Sequence, residues 1–216
     1  EELVFWANDV PALSSRHYRV IKGKYEMEKG CSTENYTMHN GKLKVVLDAV
    51  SGNIVQLIDM ATSYNYADMN VNGGLNAFRW LPGNVDAPVA DSLVQIQVVE
   101  NGPLVSELRA TSKGKGVRSV SRNVRLIFGQ PWVELSNTVD KLPLPEKDGV
   151  HFGFGFNIAN GRTRVDIPWG VMEVEKDQWP QANRNWLTLQ RWLDISNDEV
   201  GITWSSLDAP LFEYGK

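Results

Sequence analysis

Apolar and polar side chains alternate along most of this chain. Between residues 117 and 128, Val120, Val124 and Leu126 are apolar, and serine, asparagine or arginine occupies the positions between them. A period of two residues is typical of a strand with one buried face. The same pattern predicts strands at residues 42–48, 54–59, 92–100, 104–111, 117–128, 132–139, 150–158 and 186–195.

Turn-forming residues separate these segments. Glycine, proline and asparagine cluster at residues 51–53, 101–103, 113–116, 129–131 and 143–149. No long stripe of apolar residues has the spacing of a helix. Many short strands with regular turns predict an all-β fold, a large antiparallel β-sandwich, and we expect residues 1–216 to form a single β-sandwich domain.

Residues 150–158 carry an additional signal. Phe152, Phe154 and Phe156 fall on one strand face, whereas Gly153 and Gly155 fall on the other. Glycines on a strand face indicate that a second backbone or a ligand approaches closely. We expect a packed sheet of the sandwich at this face, with a ligand as the alternative.

Residues 64–89 are less regular and rich in asparagine, glycine and proline, particularly from Asn72 to Asn84. This composition predicts a long ordered loop or a strand-loop-strand excursion. A functional loop and a surface excursion that caps the sandwich both remain open.

Tryptophans are concentrated near the end of the sequence. In a strand at 186–195, the leucines at 187, 189 and 193 would form a core face, with Trp186 and Trp192 opposite. A returning strand would carry Trp204, on the side of Trp192 if the register allows. Arg191 would lie on the core face, so it should have a buried partner. Exposed indoles bind sugar rings or pack against another domain, and both interpretations remain open.

Trp169 belongs to the sequence Ile167-Pro168-Trp169-Gly170. Proline fixes the chain direction, so these residues predict a corner that presents an indole near a bend. A structural corner and a ligand platform are both compatible with the sequence.

Charge and residue chemistry narrow the function classes. The net charge is −4 without a basic block, which disfavours binding to nucleic acid or to an acidic membrane, and no apolar run is long enough to span a membrane. Cys31 is the only cysteine, and His17, His39 and His151 are far apart, so we expect no metal site. No nucleotide-binding or nucleophile motif is present, and we assign no catalytic residue. The abrupt ends at Glu1 and Lys216 suggest a piece of a longer protein.

Several weak motifs together resemble the C-terminal β-sandwich region of glycoside hydrolase family 38, the α-mannosidases. The matching stretches follow the family's order: residues 10–13, 17–20, 40–48, 51–54, 100–104, 117–140, 167–170 and 183–211. The resemblance covers most of the chain. It implies a supersandwich similar to that of the galactose-mutarotase-like proteins.

The resemblance also implies what this chain lacks. In the family, a zinc ion and an aspartate nucleophile belong to an N-terminal catalytic domain, which a helical domain follows. The chain would then be an accessory domain of a zinc-dependent retaining α-mannosidase-like hydrolase that acts on mannose-containing glycans, and it would be inactive alone. Some members place a tyrosine near the substrate, and Phe78 stands at that position here. We therefore expect Phe78, Arg79 and Trp80 at the rim of the substrate cleft.

Two rival functions remain. The chain could be a stand-alone carbohydrate-binding module that uses Trp169, Trp186, Trp192 or Trp204 as a platform. It could also be a mutarotase-like enzyme, which needs a histidine and a glutamate as acid and base. The sequence is compatible with a periplasmic, a secreted or a cytoplasmic location.

Overall fold

A computed structural model of the protein describes residues 3–7, 9–23, 30–83 and 87–214. Glu1, Asn84, Gly215 and Lys216 therefore lie outside the described residues. All regular secondary structure in the described ranges is β-strand. In this part of the chain no helix has the length and hydropathy of a membrane span.

The structure contains sixteen strands in the described residues. They are β1 (Ser32–Glu34), β2 (Thr37–His39), β3 (Leu43–Leu47), β4 (Ile54–Asp59), β5 (Leu75–Pro82), β6 (Ser92–Asn101), β7 (Val105–Gly114), β8 (Val117–Ile127), β9 (Glu134–Lys141), β10 (Asp148–Phe154), β11 (Arg162–Ile167), β12 (Gly170–Glu173), β13 (Trp186–Thr188), β14 (Trp192–Ser196), β15 (Gly201–Ser205) and β16 (Leu211–Glu213). They confirm the predicted all-β class, and seven of the eight predicted segments correspond to a single strand.

The chain divides into two compact units, residues 1–156 (unit 1) and residues 157–216 (unit 2). Unit 1 contains a six-stranded sheet in the order β1-β2-β3-β4-β5-β10 and a four-stranded sheet in the order β6-β7-β8-β9. All neighbouring strands in both sheets are antiparallel.

The core of unit 1 joins the inner faces of its two sheets. Phe78 of β5 packs with Val117 and Val120 of β8, and Phe152 of β10 contacts the same cluster. The alternation that predicted β8 places Val120, Val124 and Leu126 in the interior, where all three are buried. Unit 1 is therefore an antiparallel β-sandwich, as the sequence pattern predicts.

The predicted strand at 150–158 ends earlier than expected. Regular pairing stops at Phe154, and Phe156 forms only an isolated bridge with Ala67. The expected close approach of a second backbone occurs, because a Cβ on Gly155 would lie 2.6 Å from the carbonyl oxygen of Asp68. The backbone that approaches Gly155 belongs to the loop that precedes β5. The expectation that a second sheet packs against this face is therefore wrong.

The irregular region 64–89 combines this loop with a strand. Residues 68–74 form a loop, with turns at 69–73, that covers the glycine face of β10, and β5 then runs from Leu75 to Pro82. A Cβ added to Gly153 would contact Asn72. The predicted loop therefore lies on the outer face of the sandwich sheet, next to the rim candidates.

Unit 2 contains a four-stranded sheet in the order β12-β11-β14-β15 and a two-stranded sheet formed by β13 and β16. Its core consists of five buried aliphatic residues: Val165, Val174, Leu187, Leu189 and Leu193. The predicted core face of the tryptophan segment is thus confirmed for its three leucines.

The prediction of one continuous strand at 186–195 is wrong. Residues 189–191 separate β13 from β14, which belong to different sheets. The cause is the carboxylate of Asp166, whose Oδ1 accepts hydrogen bonds from the backbone N–H groups of Gln190 (3.0 Å), Arg191 (2.7 Å) and Trp192 (2.9 Å). These three donors turn toward one acceptor, so the chain cannot continue as a regular strand.

The prediction that Arg191 lies on the core face is also wrong. Because the strand breaks before this residue, the Arg191 side chain is exposed to solvent, and its backbone N–H makes the contact with Asp166.

The break makes stability depend on the ionisation of Asp166. Burial acts to raise the pKa of this carboxyl, but the bonds from the three backbone N–H groups and the charge of Arg191 outweigh burial and hold the pKa below its ordinary value. A carboxyl with a lowered folded pKa contributes stability above its unfolded pKa, about 3.9, and loses that contribution as the pH falls through the folded value.

We therefore predict that Asp166→Asn flattens the acid limb of the stability profile. Between pH 7 and pH 5 the free energies of unfolding of the wild type and the variant should run parallel, and below about pH 4 the wild type should lose stability more steeply. Urea unfolding at each pH measures this difference. Asp198→Asn, at a side chain that is 99% exposed, is the matched control. Equal slopes for the wild type and Asp166→Asn would contradict the assignment.

Candidate functional site

The four tryptophans predicted as candidate platforms occupy different environments. Trp204 of β15 lies opposite Leu193 of β14 and packs against the core of unit 2. Trp192 lies opposite Ser205 and is therefore on the other face of the sheet. The expectation that Trp192 and Trp204 share a face is wrong, because their positions in the paired strands differ by one residue.

Trp192 lines a shallow groove on the outer face of the four-stranded sheet. The groove has a volume of about 460 Å³ and is open to solvent. Its lining combines an indole, an aliphatic side chain, a hydroxyl and an ion pair, contributed by Arg164, Val171, Trp192, Asp194 and Thr203. The groove thus brings Trp192 together with Arg164 and Thr203, which belong to the neighbouring strands β11 and β15.

The polar wall of the groove is ordered by its own hydrogen bonds. Arg164 Nη2 donates to Asp194 Oδ1 at 2.7 Å and to Ser196 Oγ at 2.8 Å. Ser196 Oγ also donates to Asp194 Oδ1 at 2.8 Å. Arg164 and Asp194 face each other in the register of β11 and β14, which explains the contact between them.

The other two tryptophans do not line this groove. Pro168 and Trp169 form the turn between β11 and β12, and Trp169 is fully exposed with a positive φ of 67°. The predicted corner is confirmed, and the left-handed conformation of a bulky residue is a strained feature at its tip. Trp186 is 40% exposed in β13, opposite Glu213 of β16.

The residues predicted at a cleft rim lie in β5 but differ in accessibility. Phe78 is 1% exposed and belongs to the core of unit 1, so its ring is a packing element. Arg79 is half-buried, and its Nη2 donates to the carbonyl of Asn72 at 2.7 Å. This bond ties Arg79 to the loop that covers the glycine face of β10.

Trp80 is the best-anchored of the three rim candidates. Its indole Nε1 donates to Asp148 Oδ2 at 2.8 Å, and Lys141 Nζ lies 2.7 Å from Asp148 Oδ1. The bonds from Lys141 and Trp80 hold the pKa of the Asp148 carboxyl below its ordinary value. Trp80 is therefore fixed by a charged partner, and its half-buried ring also packs on the core cluster around Phe78.

A buried polar network in unit 1 was missed by the sequence reasoning. The Arg122 guanidinium of β8 binds Asp91, Asn53 and the carbonyls of Ser51 and Asn76. These partners come from several segments around the sandwich core. The alternation in β8 indicates that Arg122 is buried, because Arg122 falls on the same strand face as the buried valines.

The described residues contain no group of three or more histidine, cysteine, aspartate or glutamate side chains that could hold a metal ion. The described part of this chain therefore offers no set of ligands that fits zinc.

Comparison with known proteins identifies the family of this chain. Residues 38–208 match the model of the glycosyl hydrolases family 38 C-terminal domain. The chain belongs to this family. The matched range of this family 38 domain contains both the groove and the rim candidates.

A solved structure supports the fold of the family 38 domain. An alpha-mannosidase from Enterococcus faecalis V583 is similar in structure, with a TM-score of 0.65 at 12% sequence identity. The similarity covers 85% of this chain and 25% of the mannosidase chain. A comparison with curated protein sequences finds no significant match. The family 38 domain thus corresponds to about a quarter of the length of that mannosidase.

Proposed function

We propose that this chain is the accessory C-terminal β domain of a zinc-dependent, retaining α-mannosidase-like hydrolase. It supports the catalytic domain and contributes to the rim of the substrate cleft. Membership of family 38 and the fold shared with part of an alpha-mannosidase support this role. Zinc and the nucleophile would belong to the N-terminal catalytic domain of the same polypeptide, and a helical domain would join the two. The substrates would be mannose-containing glycans.

The exposed apolar segment at residues 3–23 carries the proposal. Its described residues contain no strand. Nine of its large apolar side chains are more than one-third exposed: Leu3, Val4, Phe5, Trp6, Val10, Leu13, Tyr18, Val20 and Ile21. A concentration of exposed apolar side chains marks an interaction surface in a soluble protein. The neighbouring domains of a family 38 enzyme are the partner that would bury it.

The rim would be formed by β5 and the loop before it. Arg79 presents a charged group that is anchored to this loop, while Phe78 supports the strand from the core. Because Phe78 is buried and has no hydroxyl, it would act by packing, and Arg79 would provide the polar contact at the rim.

The test compares this chain with the full-length enzyme. The purified chain should neither hydrolyse an aryl α-mannoside nor retain zinc. In the full-length enzyme, Leu13→Ser combined with Ile21→Ser should lower both the melting temperature and the activity, because two docking side chains are lost. Val50→Ser, at a side chain that is 82% exposed outside the segment, is the control. Stoichiometric zinc in the chain alone, or an unaffected double variant, would contradict the proposal.

A further inference from the structure

We propose that the Trp192 groove of unit 2 is a subsite for one neutral pyranose ring, such as the terminal sugar of a glycan. Supporting a catalytic domain does not require this chain to bind sugar, so the inference goes beyond the proposed function. Of the four candidate tryptophans, Trp192 alone lines the groove described above. The side chains around Trp192 include both apolar and polar groups, as the binding of a sugar ring requires.

The groove has an apolar part and a polar part side by side. Arg164, Asp194 and Thr203 face one another across β11, β14 and β15, so they form one polar row of about 10 Å. Trp192 and Val171 line the groove beside that row. A pyranose has the matching character, because its C–H groups form an apolar face and its hydroxyl groups project from the rim.

The ion pair favours a neutral ligand over a charged one. The charge of Arg164 is already balanced by Asp194 at 2.7 Å, so the polar row has little net charge for an anion or a cation. Both hydrogen bonds of the guanidinium use Nη2, and the Arg164 side chain is 44% exposed. Its other N–H groups can therefore donate to ligand hydroxyls, while Asp194 Oδ2 can accept from them.

The polar side chains of the groove are preorganised in the absence of a ligand. Ser196 bonds to both members of the ion pair and fixes their orientation, so binding costs little side-chain entropy. The volume of about 460 Å³ falls in the range of small-molecule sites. Because the groove is open and has one indole wall, it suits one ring rather than an enclosed oligosaccharide.

The experiment uses ¹⁹F NMR on the chain labelled with 5-fluorotryptophan and titrated with methyl α-D-mannopyranoside. Trp192→Phe assigns the Trp192 resonance. We expect this resonance to shift saturably, with a dissociation constant on the order of millimolar. Trp204, on the opposite face, should not shift and reports on the fold of every variant. Asp194→Asn, which keeps the side-chain size, should weaken binding at least about tenfold.

Two controls separate the site from general effects of sugar. Trp186→Phe removes an exposed indole outside the groove and should leave the titration of Trp192 unchanged. Sorbitol, a polyol without a ring, should produce no saturable shift. No saturation of Trp192 up to about 100 mM sugar, an equal response to sorbitol, or unchanged affinity in a folded Asp194→Asn variant would overturn the proposal. If Asp194→Asn does not fold, the wild-type titration with its sorbitol control decides. Failure here leaves the accessory-domain proposal intact, since that proposal is tested by docking and activity.

Discussion

Arg122→Met is expected to destabilise unit 1 by about 3–5 kcal/mol, because it breaks a buried ion pair. The guanidinium of Arg122 lies 2.9 Å from Asp91, and the two side chains are 1% and 4% exposed. Methionine approximates the length of arginine but removes all of its donors. The Asp91 carboxylate would then remain buried without its counter-charge, which is the costly part of the substitution.

Arg122 also satisfies neutral acceptors in the sandwich. It donates to Asn53 Oδ1 at 2.7 Å, to the Ser51 carbonyl at 2.6 Å and to the Asn76 carbonyl at 3.1 Å. Removing these donors leaves several buried acceptors unpaired, and each one costs free energy. Burial lowers the pKa of Arg122, and the charge of Asp91 opposes that effect. The ion pair therefore offsets part of the cost of burying a charged arginine.

A matched control lies on the same strand. Arg118 of β8 forms an ion pair with Asp140 at 2.7 Å, but those side chains are 57% and 51% exposed. Arg118→Met should cost no more than about 1 kcal/mol, because solvent screens an exposed pair. Urea unfolding of both variants measures the contrast. Equal losses for the two arginines would show that burial of the Arg122 network does not control stability.

Six strands of unit 1 could be predicted because their pattern is local. Alternating side chains and glycine-rich turns specify β3, β4 and β6 to β9 without reference to distant residues. The same alternation placed Arg122 between Val120 and Val124 on the buried face. Its partners could not be predicted, because Asn53 reaches the guanidinium only after the two sheets pack, and Asp91 only after β6, β7 and β8 pair.

The tryptophan segment shows the limit of a local pattern. The leucine spacing predicted the core face correctly, but the break at residues 189–191 depends on Asp166, more than twenty positions earlier in the sequence. The face of Trp204 depends on the register of β14 and β15, which the turn at residues 197–200 sets. The groove around Trp192 could not be predicted from the sequence either, because only strand pairing brings Arg164 and Asp194 together.

The second large effect is expected at Gly155. Gly155→Ala should destabilise unit 1 by about 3 kcal/mol, at the upper end of the range for overpacking. The new Cβ would meet the carbonyl oxygens of Val71 and Asp68, and backbone atoms cannot move aside by changing a rotamer. The loop is also held in place, because Gly155 N–H donates to the Gly74 carbonyl and Asp68 N–H donates to the Gly155 carbonyl.

Gly114→Ala is the matched control in the same unit. A Cβ there would lie 3.5 Å from side-chain atoms of Phe78 and Val117, an ordinary contact distance, so stability should be unchanged or slightly increased. Urea unfolding of both variants gives the comparison. If Gly155→Ala is as stable as Gly114→Ala, the loop does not press on the strand face. A large loss confined to Gly155 would instead show that this glycine is required for the loop to close over β10, beside the strand that carries Arg79.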